Sequence, residues 1–298
     1  MQGSFFSDAI DDKEGAIQCL KNREFAQARV LFQRAADVDP FLAEIDSYLK
    51  ITDFLAEKFA ENPTNSDVAV QALDQIRSDL YAGRCNLFVA NYLEQFCSEL
   101  ILEQLSNDFN DFVTFQQFEF HVGYLLYVSQ DYQTAREKLI KYLDTPGGRF
   151  HARLWGYLGD VNYILKFHRE AEIAYMNAFL LDPLQVDMQK LKHKEILEIF
   201  KHEKNTFLNE AYAQQFIPIA CWQKHVFTIP HGQNFLTGYA EKLLDQPYAK
   251  HQKYHRFALC LLIDQAGYRD DMDFRTREEM QRLDPELFQK YLERVSLY

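Results

Sequence analysis

The feature that most limits the possible folds of this chain is a spacing that occurs three times along it. Each copy has a small residue, a bulky residue four positions later and another packing position three beyond that, and each copy closes with a proline. Steps of four and three residues place all three positions on one face of an α-helix. Proline cannot continue that helix, so it marks the next element. The three sets are Ala28, Phe32, Ala35 with Pro40; Ala135, Leu139, Tyr142 with Pro146; and Ala171, Tyr175, Ala178 with Pro183.

The composition supports helices throughout. The 298 residues include 25 Phe, 17 Tyr and 2 Trp but only 11 Gly and 8 Pro. A β-sandwich or barrel needs turn-forming residues every 8 to 12 positions or so, and this chain has too few of them. We therefore predict an all-α protein with long helices and short loops.

A second predicted helix precedes each copy, and in the third copy it reads RLWGYLGDVNYILK. Trp155, Leu158 and Gly159 follow the pattern W-x-x-L-G, and the helix after them keeps the small and bulky positions given above. This combination resembles the tetratricopeptide repeat. One departure is Asn162, where a Tyr is usual. The resemblance covers residues 9–42, 116–149 and 152–185, approximately, and is best in the last of these.

The resemblance implies a right-handed α-solenoid of antiparallel helix pairs. Ala28 and Ala135 are 107 residues apart, which is three 34-residue repeats plus five residues, so degenerate hairpins are expected over residues 43–115. The sequence there predicts three helices. The first covers 41–60, the second is capped by Ser66 and ends at Gly83, and the third covers 87–105.

After Pro183 the repeat pattern fades. Residues 184–204 read as one long charged helix, and the prolines and β-branched residues of 216–234 predict irregular structure and a boundary. Helices are expected near 233–245, 249–267 and 273–295, the last interrupted at Asp284-Pro285. The predicted domains are a repeat domain over 1–215 and a helical cap or small subdomain over 216–298.

Charge and hydropathy exclude several classes of function. A net charge of −12 argues against a nucleic-acid-binding protein, which needs a basic face. No apolar run approaches the roughly 20 residues of a membrane helix, so we expect no membrane insertion. The N-terminus is acidic and has no apolar segment, and the five cysteines are scattered without a CxxC pair. We therefore predict a cytoplasmic protein.

No pattern in the sequence indicates catalysis, and none indicates a cofactor or a metal ion. The common nucleotide, hydrolase and metalloprotease motifs are absent. His251 and His255 have a spacing that could share a metal, but their neighbours are basic; the Asp270-Asp271 pair has Phe274 where a third aspartate would bind magnesium–diphosphate. An all-helical enzyme stays open as an alternative if polar residues converge in the C-terminal half, around His225, His231 and Asp270.

The leading hypothesis is a non-enzymatic protein-interaction adaptor or scaffold. In the tetratricopeptide family the first helix of each pair lines a concave groove. Carrying this arrangement onto the chain selects six groove residues: Phe120, Tyr124, Tyr127, Arg153, Asp160 and Tyr163. A groove so rich in aromatics favours an apolar or helical partner segment.

Acidic chaperone tails are disfavoured as partners, since the positions of the family's Lys and Asn clamp hold Phe120, Tyr124, Gly156 and Asp160. Two alternatives stay open. The aromatics could pack against neighbouring repeats, or the chain could be a structural subunit of a larger or self-associating assembly. The sequence predicts neither the oligomeric state nor the identity of the partner.

Overall fold

The computed structural model describes residues 3–62, 64–105, 111–116, 118–249, 252–267 and 270–296. The chain divides into two compact units, residues 1–131 and 132–298. This division falls inside the second predicted repeat. Residue 216, the predicted boundary, lies instead within a helix of the second unit.

In the part of the first unit that the structure describes, the regular elements are helices and one β-hairpin. Its elements are α1 (Gly3–Lys21), α2 (Phe25–Val38), α3 (Ile45–Phe59), α4 (Ser66–Tyr81), α5 (Leu87–Gln104), β1 (Phe112–Phe115), β2 (Phe118–His121) and α6 (Val122–Val128). The strands pair antiparallel, with Phe112 opposite His121. Consecutive helices pack against each other, most extensively α1 with α2 and α4 with α5.

The second unit is helical wherever the structure shows regular elements. They are α7 (Tyr132–Leu143), α8 (Ala152–Ile164), α9 (His168–Leu181), α10 (Lys194–Phe207), α11 (Glu210–Gln223), α12 (Phe235–Leu244), α13 (Lys253–Ala266), α14 (Asp270–Leu283) and α15 (Pro285–Val295), with 3₁₀ turns at Gly148–Phe150 and Pro183–Gln185. Most consecutive helices again pack together, most extensively α8 with α9 and α10 with α11, and α9 also contacts α11, α12 and α13.

The repeated spacing is a packing pattern in the first and third copies. All six of its positions are completely buried: Ala28, Phe32, Ala35, Ala171, Tyr175 and Ala178. Gly159 shows why the third copy needs a glycine, because a β-carbon there would lie 2.6 Å from the ring of Tyr175. The prediction of an all-α chain built from consecutive helix pairs is thus confirmed.

The second copy differs from its prediction. Leu143 is buried in place of Tyr142, which is only half-buried. The helix expected from residue 116 begins at Val122, because the alternating aromatic and β-branched residues before it form the β1–β2 hairpin. Phe120 therefore lies on a strand and not on the first helix of a repeat.

Other local predictions are corrected or confirmed by the structure. The long helix over 184–204 is wrong, since α10 begins at Lys194. Irregular structure over 216–223 is also wrong, because these residues continue α11 through Pro218. Asn65, one residue before the predicted cap, accepts the N-terminal hydrogen bonds of α4. The Asp284-Pro285 start of α15 is confirmed.

Candidate binding site

Three of the predicted groove residues lie in the first unit, and the structure buries all of them. Phe120 stacks on Tyr124 with ring centroids 6.1 Å apart. The guanidinium of Arg77 on α4 covers both rings, at 5.3 Å from Phe120 and 4.2 Å from Tyr124. Tyr127 is buried as well. The aromatic residues predicted to line the groove are therefore packed inside the first unit, and their rings do not form an open surface.

The three predicted groove residues of the second unit have different environments. Arg153 is exposed, Tyr163 is half-buried, and Asp160 is only 2% exposed. Asp160 Oδ1 accepts hydrogen bonds from Tyr175 Oη at 2.5 Å and from the backbone N–H of Lys192 at 2.7 Å. Its carboxylate is thus used inside the fold, and its expected place on an open groove is wrong. Whether Arg153 and Tyr163 bind a partner stays a prediction.

Residues 186–193, which we call the cover segment, explain this burial. The segment follows the 3₁₀ turn after α9 and passes over Gly156, Asp160 and Tyr163, which we call the α8 face. A β-carbon at Gly156 would lie 3.7 Å from Val186 Cγ1, and the rings of His193 and Tyr163 are 4.9 Å apart. The side chain of Gln214 on α11 donates to the carbonyl of Val186 at 2.8 Å. The chain therefore fills the α8 face with its own backbone.

An open cavity lies beside α9. It has a volume of about 820 Å³, within the range of roughly 300 to 1,000 Å³ typical of ligand sites, and its surface is mainly apolar. From α9 it is lined by His168, Arg169, Glu172, Ile173, Met176 and Asn177. From residues 228–236 it is lined by Thr228, Pro230, His231, Asn234, Phe235 and Leu236. We call this the α9 cavity.

A helix cap and aromatic contacts hold in place the cavity wall opposite α9. Asn234 caps α12 by accepting from the backbone N–H groups of Leu236 and Thr237, and Thr237 completes a capping box. Phe235 stacks on Trp155 with ring centroids 6.1 Å apart, and the indole N–H of Trp155 donates to the carbonyl of Arg149 at 2.9 Å. The repeat tryptophan therefore supports the cavity wall.

Two polar groups on the α9 side of the cavity have no partner among the described residues. Asn177 is only 5% exposed, and its side-chain amide makes no hydrogen bond there. The guanidinium of Arg169, two turns earlier, is exposed and forms no ion pair within the same part of the chain. On the opposite wall, Nδ2 of Asn234 is buried and also unpaired. Of these three groups, only Asn234 Nδ2 is a completely buried atom without a hydrogen bond, and the side chains of Asn177 and Arg169 line the cavity, where a ligand can reach them.

One side chain of the cavity has a shifted pKa. Burial raises the pKa of the Glu172 carboxyl above its usual value, the nearby charge of Glu195 raises it further, and His168 partly opposes the shift. A carboxyl group with a raised pKa beside a histidine can take part in proton transfer. Of the C-terminal residues considered for catalysis, only His231 lines this cavity; His225 instead contacts Arg294.

Other candidate sites receive no support. His251 and the side chain of Asp270 lie outside the described residues, and His255 donates to the carbonyl of Leu180 at 2.8 Å. Within the described ranges there is no cluster of three or more potential metal ligands. In the same ranges, no helix combines the length and apolar character that crossing a membrane requires.

Compared with protein-family models, with curated proteins and with solved structures, the chain has no significant match. The tetratricopeptide resemblance therefore depends on the residues that carry it. No other protein supplies a function for this one by similarity.

Sequence reasoning did not find the α9 cavity. Its residues come from the second helix of the third repeat and from a segment some fifty positions later, and no local pattern connects the two. One signal was available: Ile173 is an apolar residue outside the repeat spacing, and it is 45% exposed in the structure. Single exposed apolar residues are common on protein surfaces, so this signal alone does not identify a site, and Ile173 becomes informative only because it lines the cavity.

Proposed function

We propose that this protein is a non-enzymatic adaptor that binds an apolar segment of a partner protein in the α9 cavity. The observation that carries the proposal is an open, mainly apolar cavity with the unpaired amide of Asn177 in its lining. A partner segment would bury Ile173, which is 45% exposed, and would give the amide a hydrogen bond, and both changes favour binding.

The α8 face supports the same choice of site. In the tetratricopeptide arrangement that face would bind the partner, but here the cover segment occupies it and Asp160 is already hydrogen-bonded. A partner would have to displace buried residues to reach it. The α9 cavity requires no such displacement, so the partner site is proposed there and not at the six residues expected from the sequence.

The adaptor proposal is tested by affinity capture from native lysate with Ile173→Asp and a matched control. Val30→Asp is the control, because Val30 is also a β-branched residue exposed on a helix, 59% against 45%. We expect the wild type and Val30→Asp to capture the same partner and Ile173→Asp to lose it, with helicity unchanged. Equal capture by all three would refute binding in the cavity.

A second candidate function is acid–base catalysis in the same cavity. The observation that favours it is the raised pKa of the Glu172 carboxyl near His168. A panel of chromogenic esters, phosphates and glycosides tests it. Turnover that is lost in Glu172→Gln would support catalysis, whereas the adaptor proposal expects no turnover that depends on this residue.

A further inference from the structure

We infer that the ligand of the α9 cavity is an extended peptide segment in which an acidic residue is followed, two positions later, by an apolar one. This inference depends on the proposed function, since it specifies the chemistry of the partner segment. It is carried by three residues of one helix: Arg169, Ile173 and Asn177.

The spacing of these residues matches an extended chain. They occur at intervals of four on α9, so each step rises about 6 Å along the helix. In an extended peptide, alternate residues on one side are about 6.6 Å apart. One peptide residue can therefore meet Arg169, the residue two further on can meet Ile173, and the next backbone amide in that register can meet Asn177. Five peptide residues span the set.

The positive charge of Arg169 indicates that the first residue of the peptide is acidic. Arg169 is an exposed cation without an ion-pair partner among the described residues. A carboxylate fits the guanidinium with two parallel hydrogen bonds. Glu172, which also lines the cavity, forms no ion pair with Arg169 among the described residues.

The side-chain amide of Asn177 favours an extended ligand over a helical one. The Asn177 side chain offers both a donor and an acceptor, and Asn234 Nδ2 offers another donor on the opposite wall. A docked helix has its backbone N–H and C=O groups paired internally, so it would leave these amides without partners. An extended backbone presents both kinds of group along its edge. The cavity is thus suited to an extended segment.

A selection from random linear peptides displayed on phage tests this inference with the full-length protein. Selections are run in parallel on the wild type, Arg169→Glu and Ile173→Asp. We expect wild-type peptides to share an acidic residue two positions before an apolar one. On Arg169→Glu the same register should carry a basic residue, because the exposed side chain at 169 sets only the charge.

Synthetic peptides then test the amide. Capped peptides, acetylated and amidated to remove terminal charges, are measured by fluorescence polarisation. Asn177→Leu should weaken the wild-type peptide about tenfold. Methylation of the peptide nitrogen facing residue 177 should weaken binding to the wild type but add little in Asn177→Leu.

The outcomes separate the two proposals. The inference is overturned if the Arg169→Glu selection returns the same acidic peptides, or if the apolar positions recur at helical intervals of three and four. In those cases the adaptor proposal stands, provided that Ile173→Asp loses the peptides. Both proposals fail if the wild type enriches no peptide relative to Ile173→Asp.

Discussion

The α8 face and the α9 cavity lie on adjacent helices of the same unit, but they differ in whether their polar groups have hydrogen-bond partners. On the α8 face the carboxylate of Asp160 accepts two hydrogen bonds beneath the cover segment. In the α9 cavity Asn177 is 5% exposed, and its side-chain amide has no partner among the described residues. The first surface is filled by the chain itself, whereas the second is open, and we propose that a partner segment fills it.

This difference is the reason that we propose a binding surface on the flank of α9 and not on α8. Filling the α8 face with residues 186–193 removes the surface on which the family resemblance predicts binding. The same cover segment joins α9 to α10, and α11 packs on α9 beyond it. The available surface is then the flank of α9, which a consensus repeat array would cover with its next helix pair.

The largest expected effect is at the filled surface. Asp160→Ala should lower the free energy of unfolding by about 3 kcal/mol, because the hydroxyl of Tyr175 and the N–H of Lys192 both lose a charged acceptor in a buried site. Urea unfolding measures the loss, and hydrogen exchange should accelerate in residues 186–193. Asp160→Asn keeps an acceptor oxygen and should lose less. Unchanged exchange would show that Asp160 does not hold the cover segment.

A smaller loss is expected from Gly159→Ala. The new β-carbon would meet the fully buried ring of Tyr175, and overpacking of about 1–3 kcal/mol exceeds the gain in helix propensity of about 1 kcal/mol. The control is Gly238→Ala on α12, where no atom outside the local helix backbone lies within 4 Å of the added carbon. Thermal unfolding should show a loss for the first and a small gain for the second. Equal shifts would contradict the packing role of Gly159.

The cover segment should also weaken in acid. Burial, together with the nearby His168, lowers the pKa of His193 below its usual value. The unfolded state therefore binds more protons below about pH 6.5, and stability falls as the pH drops through that value. His193→Asn keeps an acceptor for the N–H of Ile196 while removing the titration. Its melting temperature should decrease less than that of the wild type between pH 7.5 and 5.5; parallel curves would assign the effect to other groups.

The smallest effect on stability is expected in the open cavity. Asn177→Leu removes an amide that has no hydrogen bond in the described structure, so the free energy of unfolding should change by less than about 1 kcal/mol. Urea unfolding should therefore show a much smaller change in the free energy of unfolding for this variant than for Asp160→Ala. A loss as large as that of Asp160→Ala would mean that Asn177 has an internal role.

Much of the fold could be predicted from the sequence, because short-range physics determines it. The spacing of Ala171, Tyr175 and Ala178 predicts a buried helix face, and the scarcity of glycine and proline predicts an all-α chain. The start of α15 was predicted from two adjacent residues, Asp284 and Pro285. In each case the residues that decide the structure are neighbours along the chain.

The site could not be predicted because long-range packing decides it. Asp160 has the position of a groove residue in α8, and only the path of the chain thirty residues later buries it. Phe120 and Tyr124 have the aromatic character of a binding surface, but Arg77 of α4 covers them. The cavity wall at Phe235 is likewise distant in sequence from Ile173. Periodicity within one helix contains no information on these contacts.

The central claim is that the α9 cavity, and not the α8 face, binds the partner. Photo-crosslinking tests it most directly, with a selected peptide that carries a photoreactive leucine at its apolar position and mass spectrometry to locate the adduct. We predict adducts on residues 168–177 and 228–236, with hydrogen exchange in residues 186–193 unchanged by the peptide. Adducts on α8, together with faster exchange in the cover segment, would contradict the account.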